Sequence, residues 1–350
     1  MVTTSDFPQV LAGYKDLVWP ILQGYLKDSV RLPAYCAINP KYQSLLDFQS
    51  LLISDYPQRK GKYLRPSLVM LSAQAMGLDS HDVSLLAAAM QLSEEWILIH
   101  DDIEDESLER RGLPTLSKIY GIPLALNAGD SLHVIMWKMI LDLNNPRVSQ
   151  EFYNLLNRTT FGQTIDIKWN QDNKLDISDE DVFLILESKT CYYTISGPMR
   201  LGAILAGASE DQLNQLYNFG IYLGRAFQII DDVLDLTSDF AGLKKQLFND
   251  LYEGKRTIIL SHLLSVVTPA EMQILKSILA KPRLLKTEAE VLQIMDLIHK
   301  YHSLDYSKQM ALDFAQKARE ILDHDLTFLK AEPYRHQISQ AIDFIVNRLY

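Results

Sequence analysis

The sequence predicts an all-α protein, a single large helical bundle, on three observations. Apolar residues recur at helical spacing in segment after segment, and no sustained apolar–polar alternation argues for a sheet. The 15 glycines and 13 prolines fall mostly between the periodic segments. One helix starts at Asp79-Ser80, either of which could cap it, and carries Leu86, Met90, Ser93, Ile97 and Asp101 along one side. A second runs from about Leu216 to Leu236 on the stripe Phe219, Leu223, Phe227 and Ile230. A third, Val291 to His299, repeats Ile294, Leu297 and Ile298. Breaks are expected at 33–40, 56–61, 112–114, 144–147, 175–179, 238–254 and 281–282. None is long enough to be a domain linker. The expectation is one domain over 1–350 with roughly a dozen helices, residues 1–30 forming an N-terminal helical extension.

Composition narrows the function. With 47% hydrophobic and 22% charged residues in 350, the chain is globular. Its 34 basic and 44 acidic side chains give a net charge of -10, which argues against a broad nucleic-acid footprint. Two cysteines, Cys36 and Cys191, make neither a disulfide framework nor a cysteine-based zinc site. No signal peptide is read at the N-terminus, and no apolar run reaches the roughly 18 residues of a membrane span. A cytoplasmic location is expected.

The strongest feature is a repeated acidic cluster, Asp101-Asp-Ile-Glu-Asp105 and Asp231-Asp-Val-Leu-Asp235. Each ends a strongly apolar helix and places Asp at i, i+1 and i+4. Asp101 and Asp105 share a face, as do Asp231 and Asp235, so like charges repel at the end of the helix dipole that disfavours anions. A sequence that accepts both costs twice calls for a cation. All-oxygen ligands suit a hard divalent ion, Mg²⁺ first, which takes a few carboxylates together with substrate phosphates. One such cluster alone would be read as solvated surface. Two copies argue against that, as does the line Gly224, Gln228, Asp231, Asp235 bordering an apolar stripe.

With these clusters the sequence resembles the trans-isoprenyl diphosphate synthases, the family of farnesyl and geranylgeranyl diphosphate synthases. The resemblance rests on Gly61-Lys-Tyr-Leu-Arg-Pro66, His100 to Asp105, Arg110-Arg-Gly-Leu-Pro-Thr115, Asn127-Ala-Gly-Asp130, Gly162-Gln-Thr-Ile-Asp166, Lys189-Thr190 and Phe227 to Asp235. Lys245, Asp250, Gly254-Lys255 and Val346-Asn-Arg348 continue it in order. It implies a bundle of the isoprenoid synthase type around a central apolar pocket, working as a homodimer. It implies Mg²⁺-dependent head-to-tail condensation of isopentenyl diphosphate with an allylic diphosphate, three Mg²⁺ arriving with the substrate. By resemblance, Asp101, Asp105 and Asp231 bind metal directly, Asp102 and Asp235 support them, and Asp232 belongs to the same metal group. Arg110, Lys189 and Lys245 hold the allylic diphosphate, while Gln228 and Thr190 face the developing cation. Lys62, Arg65 and Arg111 hold the isopentenyl diphosphate, and Lys255 is a further substrate-binding residue. Ionisation separates a carbocation from a diphosphate anion, so cations must meet the leaving group and dipoles the carbocation. Adjacent Arg110 and Arg111 could serve two anions, because neighbouring helical side chains diverge by about 100°.

Three departures from the family pattern stand out. A glycine has become Lys60 and a basic residue Tyr63, and Lys244 precedes Lys245 where glycine is usual. Glu94 occupies the place of a His or Gln that donates to the isopentenyl diphosphate, which an ionised Glu does not do. Glu94 pairs with Lys62 or Arg65, or Glu95 is the nearer neighbour, or the second site is weakened; the ion-pair account is preferred. The growing chain is expected to run back along the helix ending at Asp101, where Trp96 and Ile97 form a floor above Ser93. That implies a product of fifteen or twenty carbons, farnesyl or geranylgeranyl diphosphate. Competing readings are weaker. A terpene cyclase mixes other residues into its second metal motif, a helical phosphohydrolase using His100-Asp101 needs further His ligands, and a regulatory subunit would lack part of this set.

Overall fold

The computed structural model describes residues 6–237 and 248–347. It divides into two compact units, residues 1–152, 198–209 and 328–338 forming one and 153–197, 210–327 and 339–350 the other. The first contains α1 (Phe7–Asp28), α2 (Gln43–Gln58), α3 (Leu64–Ala75), α4 (Ser80–Glu104), the strands β1 (Glu109–Arg110) and β2 (Leu113–Pro114), α5 (Leu116–Tyr120) and α6 (Ile122–Asp142). The chain enters the second unit along α7 (Pro146–Gln171), followed by α8 (Asp179–Ile185) and a π-helix over Leu186–Ser196. Helix α9 (Gly197–Leu205) returns to the first unit. The second is completed by α10 (Glu210–Thr237), α11 (Asn249–Glu253), α12 (Ile258–Val266), α13 (Pro269–Leu279), α14 (Glu288–Lys300) and α15 (Ser303–His324), and α16 (Tyr334–Val346) follows.

The all-α expectation holds, and the three helices read from periodicity are α4, α10 and α14. Helix α10 begins six residues earlier than its apolar stripe, because Glu210 and Asp211 suit a helix N-terminus. Sixteen α-helices are present among the described residues, more than a dozen, since pieces as short as α5 and α11 carry too few apolar repeats to register in sequence. The break at 112–114 is a hairpin, Glu109 pairing with Pro114 and Arg110 with Leu113.

In the first unit α3 is buried from Pro66 to Ala75 and α4 from Leu86 to Ser93. A helix buried on all sides loses the alternation of wet and dry faces, so these two form the centre of that core. In the second unit α10 packs closely on the π-helix. A Cβ at Gly220 would lie 2.3 Å from Ser196 Cα, and one at Gly224 2.6 Å from Cys191 Cα. Gly162 of α7 meets the same π-helix, 2.5 Å from the amide nitrogen of Lys189. The wide π-helix therefore has backbone against it on two sides, which fixes Lys189 and Thr190.

Gly220→Ala should destabilise the protein by about 1–3 kcal/mol through backbone overpacking. Gly13→Ala, inside α1 with nothing within 4 Å, should stabilise it by roughly 0.5–1 kcal/mol. Urea denaturation of both variants checks the pair.

Candidate active site

The first aspartate cluster sits at the C-terminal end of α4, where Asp105 caps the helix and its amide donates to the Asp101 carbonyl at 2.8 Å. Asp101 and Asp105 are partly exposed. Asp102 points inward with a side chain 1% exposed. Its carboxylate accepts from the Tyr56 hydroxyl at 2.6 Å and from Arg110 Nε at 2.9 Å, and Arg110 Nη2 also reaches it. Burial beside this carboxylate pushes the Tyr56 phenol upward. Arg110 Nη2 also lies 3.6 Å from Asp101. Asp102 was expected to support the metal ligands, and its placement makes it the anchor that aims Arg110 at Asp101.

Arg110 and Arg111 diverge, but not for the helical reason. Arg110 ends β1, whereas Arg111 and Gly112 form the hairpin turn with φ of 55° and 75°, the mirror-image turn that matches strand twist. Arg111 is thereby sent to a different set of groups. Its Nη1 meets both oxygens of Glu95 at 3.0 and 3.1 Å and the Tyr56 carbonyl at 3.2 Å. Its Nη2 lies 3.8 Å from Glu94, which also pairs with Arg65 at 3.2 Å. The ion-pair account of Glu94 is the one the geometry supports, with Arg65 as partner. Glu95 is the nearer of the two acids to Arg111. Gly61 borders the cluster, since a Cβ there would fall 2.7 Å from Arg111 Nη2. Lys62 is exposed beside it, and Tyr63 is buried at 1% at the start of α3.

Back along α4, Trp96 is 9% exposed, Ser93 is fully buried and Ile97 is partly buried. The Trp96 ring packs 4.8 Å from His133 of α6, whose Nε2 accepts from Trp137 Nε1 at 2.9 Å. Burial lowers the His133 imidazole, favouring the neutral ring that this acceptor role requires.

In the second unit, the C-terminal half of α10 presents Gln228, Asp231 and Asp235, all partly buried. Asp232 was also grouped with the metal ligands, yet it is 4% exposed and accepts from Gln228 Nε2 at 2.9 Å. Burial, with Asp250 nearby, drives its carboxyl well above the usual range. With its amide nitrogen engaged by Asp232, Gln228 keeps its carbonyl oxygen for another partner. Asp235 accepts from the Asp250 amide at 2.9 Å, and Lys255 lies 3.3 Å from Asp250. Lys189 Nζ reaches Asp166 of α7 at 2.9 Å, and Thr190 is partly buried next to it on the π-helix. Lys245 and Lys244 lie outside the described residues.

Among the described residues no group of three or more His, Cys, Asp or Glu side chains forms a ready metal site. The donor chemistry still fits Mg²⁺, which keeps several waters and takes one or two carboxylates plus substrate phosphate. Sequence reasoning missed Arg59. Its guanidinium donates to the Arg110 carbonyl at 3.0 Å and the Pro114 carbonyl at 2.7 Å while its Nε holds Asp55, clamping the hairpin onto α2. It also missed Tyr56, Glu95 as the Arg111 partner, and the His133–Trp137 pair at helical i, i+4 spacing.

Each unit thus carries an aspartate-rich helix end on an all-α scaffold, and comparison with known proteins shows the chain to be a prenyltransferase. A family model described as polyprenyl synthetase matches residues 50–298. A geranylgeranyl diphosphate synthase from Sulfolobus acidocaldarius is 32% identical over 270 residues, 75% of this chain and 80% of that protein. An octaprenyl diphosphate synthase from Escherichia coli is 30% identical over 258 residues, 74% and 78% of the two chains. The crystal structure of a geranylgeranyl pyrophosphate synthetase from Pyrococcus horikoshii superposes with a TM-score of 0.81 at 27% identity, covering 97% of this chain and 98% of that one. The chain belongs to the polyprenyl synthetase family, the trans-isoprenyl diphosphate synthases.

Tyr56→Phe should cost about 1.5–3 kcal/mol by taking a hydrogen bond from a buried carboxylate, and should lower kcat by loosening Arg110. Equal urea midpoints would remove Tyr56 from the anchor. Glu94→Gln should lower the KM for isopentenyl diphosphate several-fold by releasing Arg65, read from steady-state kinetics.

Proposed function

We propose that this chain is a short-chain synthase joining isopentenyl diphosphate to an allylic diphosphate, with farnesyl or geranylgeranyl diphosphate as product. The observation that carries the two-substrate reading is the split of the arginine pair. Arg110 is aimed at Asp101 and Arg111 at Glu95, with the Arg65–Glu94 pair beside it, and in this reading the adjacent residues serve two different seats. In this reading the allylic diphosphate is held by Arg110, Lys189 and Lys245, and the isopentenyl diphosphate by Lys62, Arg65 and Arg111, with Lys255 a further diphosphate contact. Asp101, Asp105, Asp231 and Asp235 hold the Mg²⁺ ions, three in number. Bound Mg²⁺ supplies positive charge to the departing diphosphate.

The residues of this chain do the rest. Arg110 and Lys189 neutralise charge on the leaving group as the allylic C–O bond breaks. The Gln228 carbonyl, turned out by Asp232, and the Thr190 hydroxyl present dipoles to the allylic cation. The isopentenyl double bond then forms the new C–C bond, and a proton is lost to give the lengthened allylic diphosphate.

Chain length does not follow from similarity, since relatives 32% and 30% identical are named for products as different as geranylgeranyl and octaprenyl diphosphate. The floor at Trp96 supports a short product. Five residues from Asp101 correspond to about 7.5 Å along the helix, and the ring is braced by His133 and Trp137. A homodimer is supported by the exposed apolar residues of α6, Ile122, Leu124, Leu126, Val134 and Leu141. No described helix is long and apolar enough to cross a membrane.

The test is incubation of radiolabelled isopentenyl diphosphate with dimethylallyl, geranyl or farnesyl diphosphate, with Mg²⁺ or with chelator. Products of fifteen or twenty carbons are expected with Mg²⁺ alone, and no incorporation with any primer would overturn the reading. Trp96→Ala should lengthen the products; an identical distribution would place the floor elsewhere.

A further inference from the structure

The second-substrate seat carries an anomaly that the condensation reaction does not explain. Two arginines that should greet an anion are already occupied by two carboxylates. Glu94, 15% exposed, bridges Arg65 at 3.2 Å and Arg111 at 3.8 Å. Glu95 is fully buried, holds Arg111 Nη1 with both oxygens and accepts from Gln91 Nε2 at 2.7 Å. The two arginines and the two carboxylates thus pair charge for charge. A diphosphate settling on Arg65 and Arg111 would therefore meet two carboxylates inside hydrogen-bonding range of its own partners. Like charges in a partly desolvated site are costly, and the cheapest remedy is to neutralise the more deeply buried carboxylate.

We propose that Glu95 is a positioning residue for the second diphosphate, holding Arg111 in the empty seat and taking up one proton from solvent as that diphosphate binds. This rests on the reading of Arg65 and Arg111 as the isopentenyl diphosphate seat. The groups facing Glu95 are accounted for element by element. Helix α4 supplies Gln91 and Glu94, the residue before α3 supplies Tyr63, and the hairpin supplies Arg111, whose Nη1 is also held by the Tyr56 carbonyl of α2. Burial raises the Glu95 carboxyl to about 7, Arg111 works against that and Glu94 adds to it. Tyr63, whose buried hydroxyl has no hydrogen-bond partner among the described residues, is pushed upward by burial and by Glu95, so it stays neutral. Arriving negative charge raises the Glu95 carboxyl further. Protonation leaves a neutral acid that still hydrogen-bonds while Arg111 turns its charge to the phosphate.

The sign follows. Below pH 7 Glu95 already carries its proton and binding needs none. Above pH 7 each unit withholds the proton by a further factor of ten, so KM for isopentenyl diphosphate should climb toward tenfold per unit.

The experiment measures that KM from pH 6 to 9 in the full-length enzyme and in Glu95→Gln and Arg111→Gln, with calorimetry of isopentenyl diphosphate binding at pH 8 in Tris and in HEPES. The expected result is a steep rise of KM above pH 7 that Glu95→Gln abolishes, and uptake of close to one proton per ligand. The same slope in both enzymes, with Arg111→Gln raising KM at least tenfold, would overturn the proton role and leave the seat standing. An unchanged KM in Arg111→Gln would overturn the seat itself. Should Glu95→Gln fail to fold, calorimetry of the unaltered enzyme decides, and absence of proton uptake overturns the proposal.

Discussion

A carboxylate buried at the wrong end of a helix dipole survives only if something neutralises it, and Asp102 is that case. Alone it would cost several kcal/mol; with Arg110 on one side and the Tyr56 hydroxyl on the other, it becomes a fixed point. Three elements meet there. Helix α4 brings the acid, α2 the phenol and the hairpin the guanidinium. The direction of Arg110, and through the turn that of Arg111, follows from where Asp102 is held. Asp232 shows the same economy in the second unit, tying Gln228 by its amide so that the carbonyl is aimed elsewhere. In both clusters the second aspartate serves a neighbouring side chain.

The π-helix sets the other fixed position. A π-turn is wider than an α-turn and is found most often where a functional side chain must be displaced from regular register. Leu186–Ser196 is held in that form because glycines on α7 and α10 let backbone approach backbone. Lys189 and Thr190 thus sit on a rigid segment, and the lysine already has Asp166 to orient it before any ligand arrives.

Much of this was legible in one dimension. Helix periodicity located α4, α10 and α14, and repulsive aspartates at the ends of α4 and α10 were anomalous enough to mark a site without any partner in view. What stayed hidden was pairing between residues distant in sequence. Tyr56 and Asp102, Arg59 and the hairpin, and His133 and Trp96 leave no periodic trace, because each partner is an ordinary residue of its own helix or turn. The divergence of Arg110 and Arg111 was expected, but it comes from the turn and not from a helix, since a two-residue turn with positive φ looks in sequence like any Arg-Gly break. Asp102 and Asp232 were indistinguishable from their neighbours because spacing says which face a residue shares, not how deeply that face is packed.

Arg59 grips the hairpin through carbonyl oxygens, not side chains. A clasp that holds main chain is blind to the residues it carries. Glu109 and Leu113 point outward and could be exchanged over evolutionary time without disturbing how the two arginines are presented, leaving the loop's outer surface free to diversify while its inner chemistry is kept.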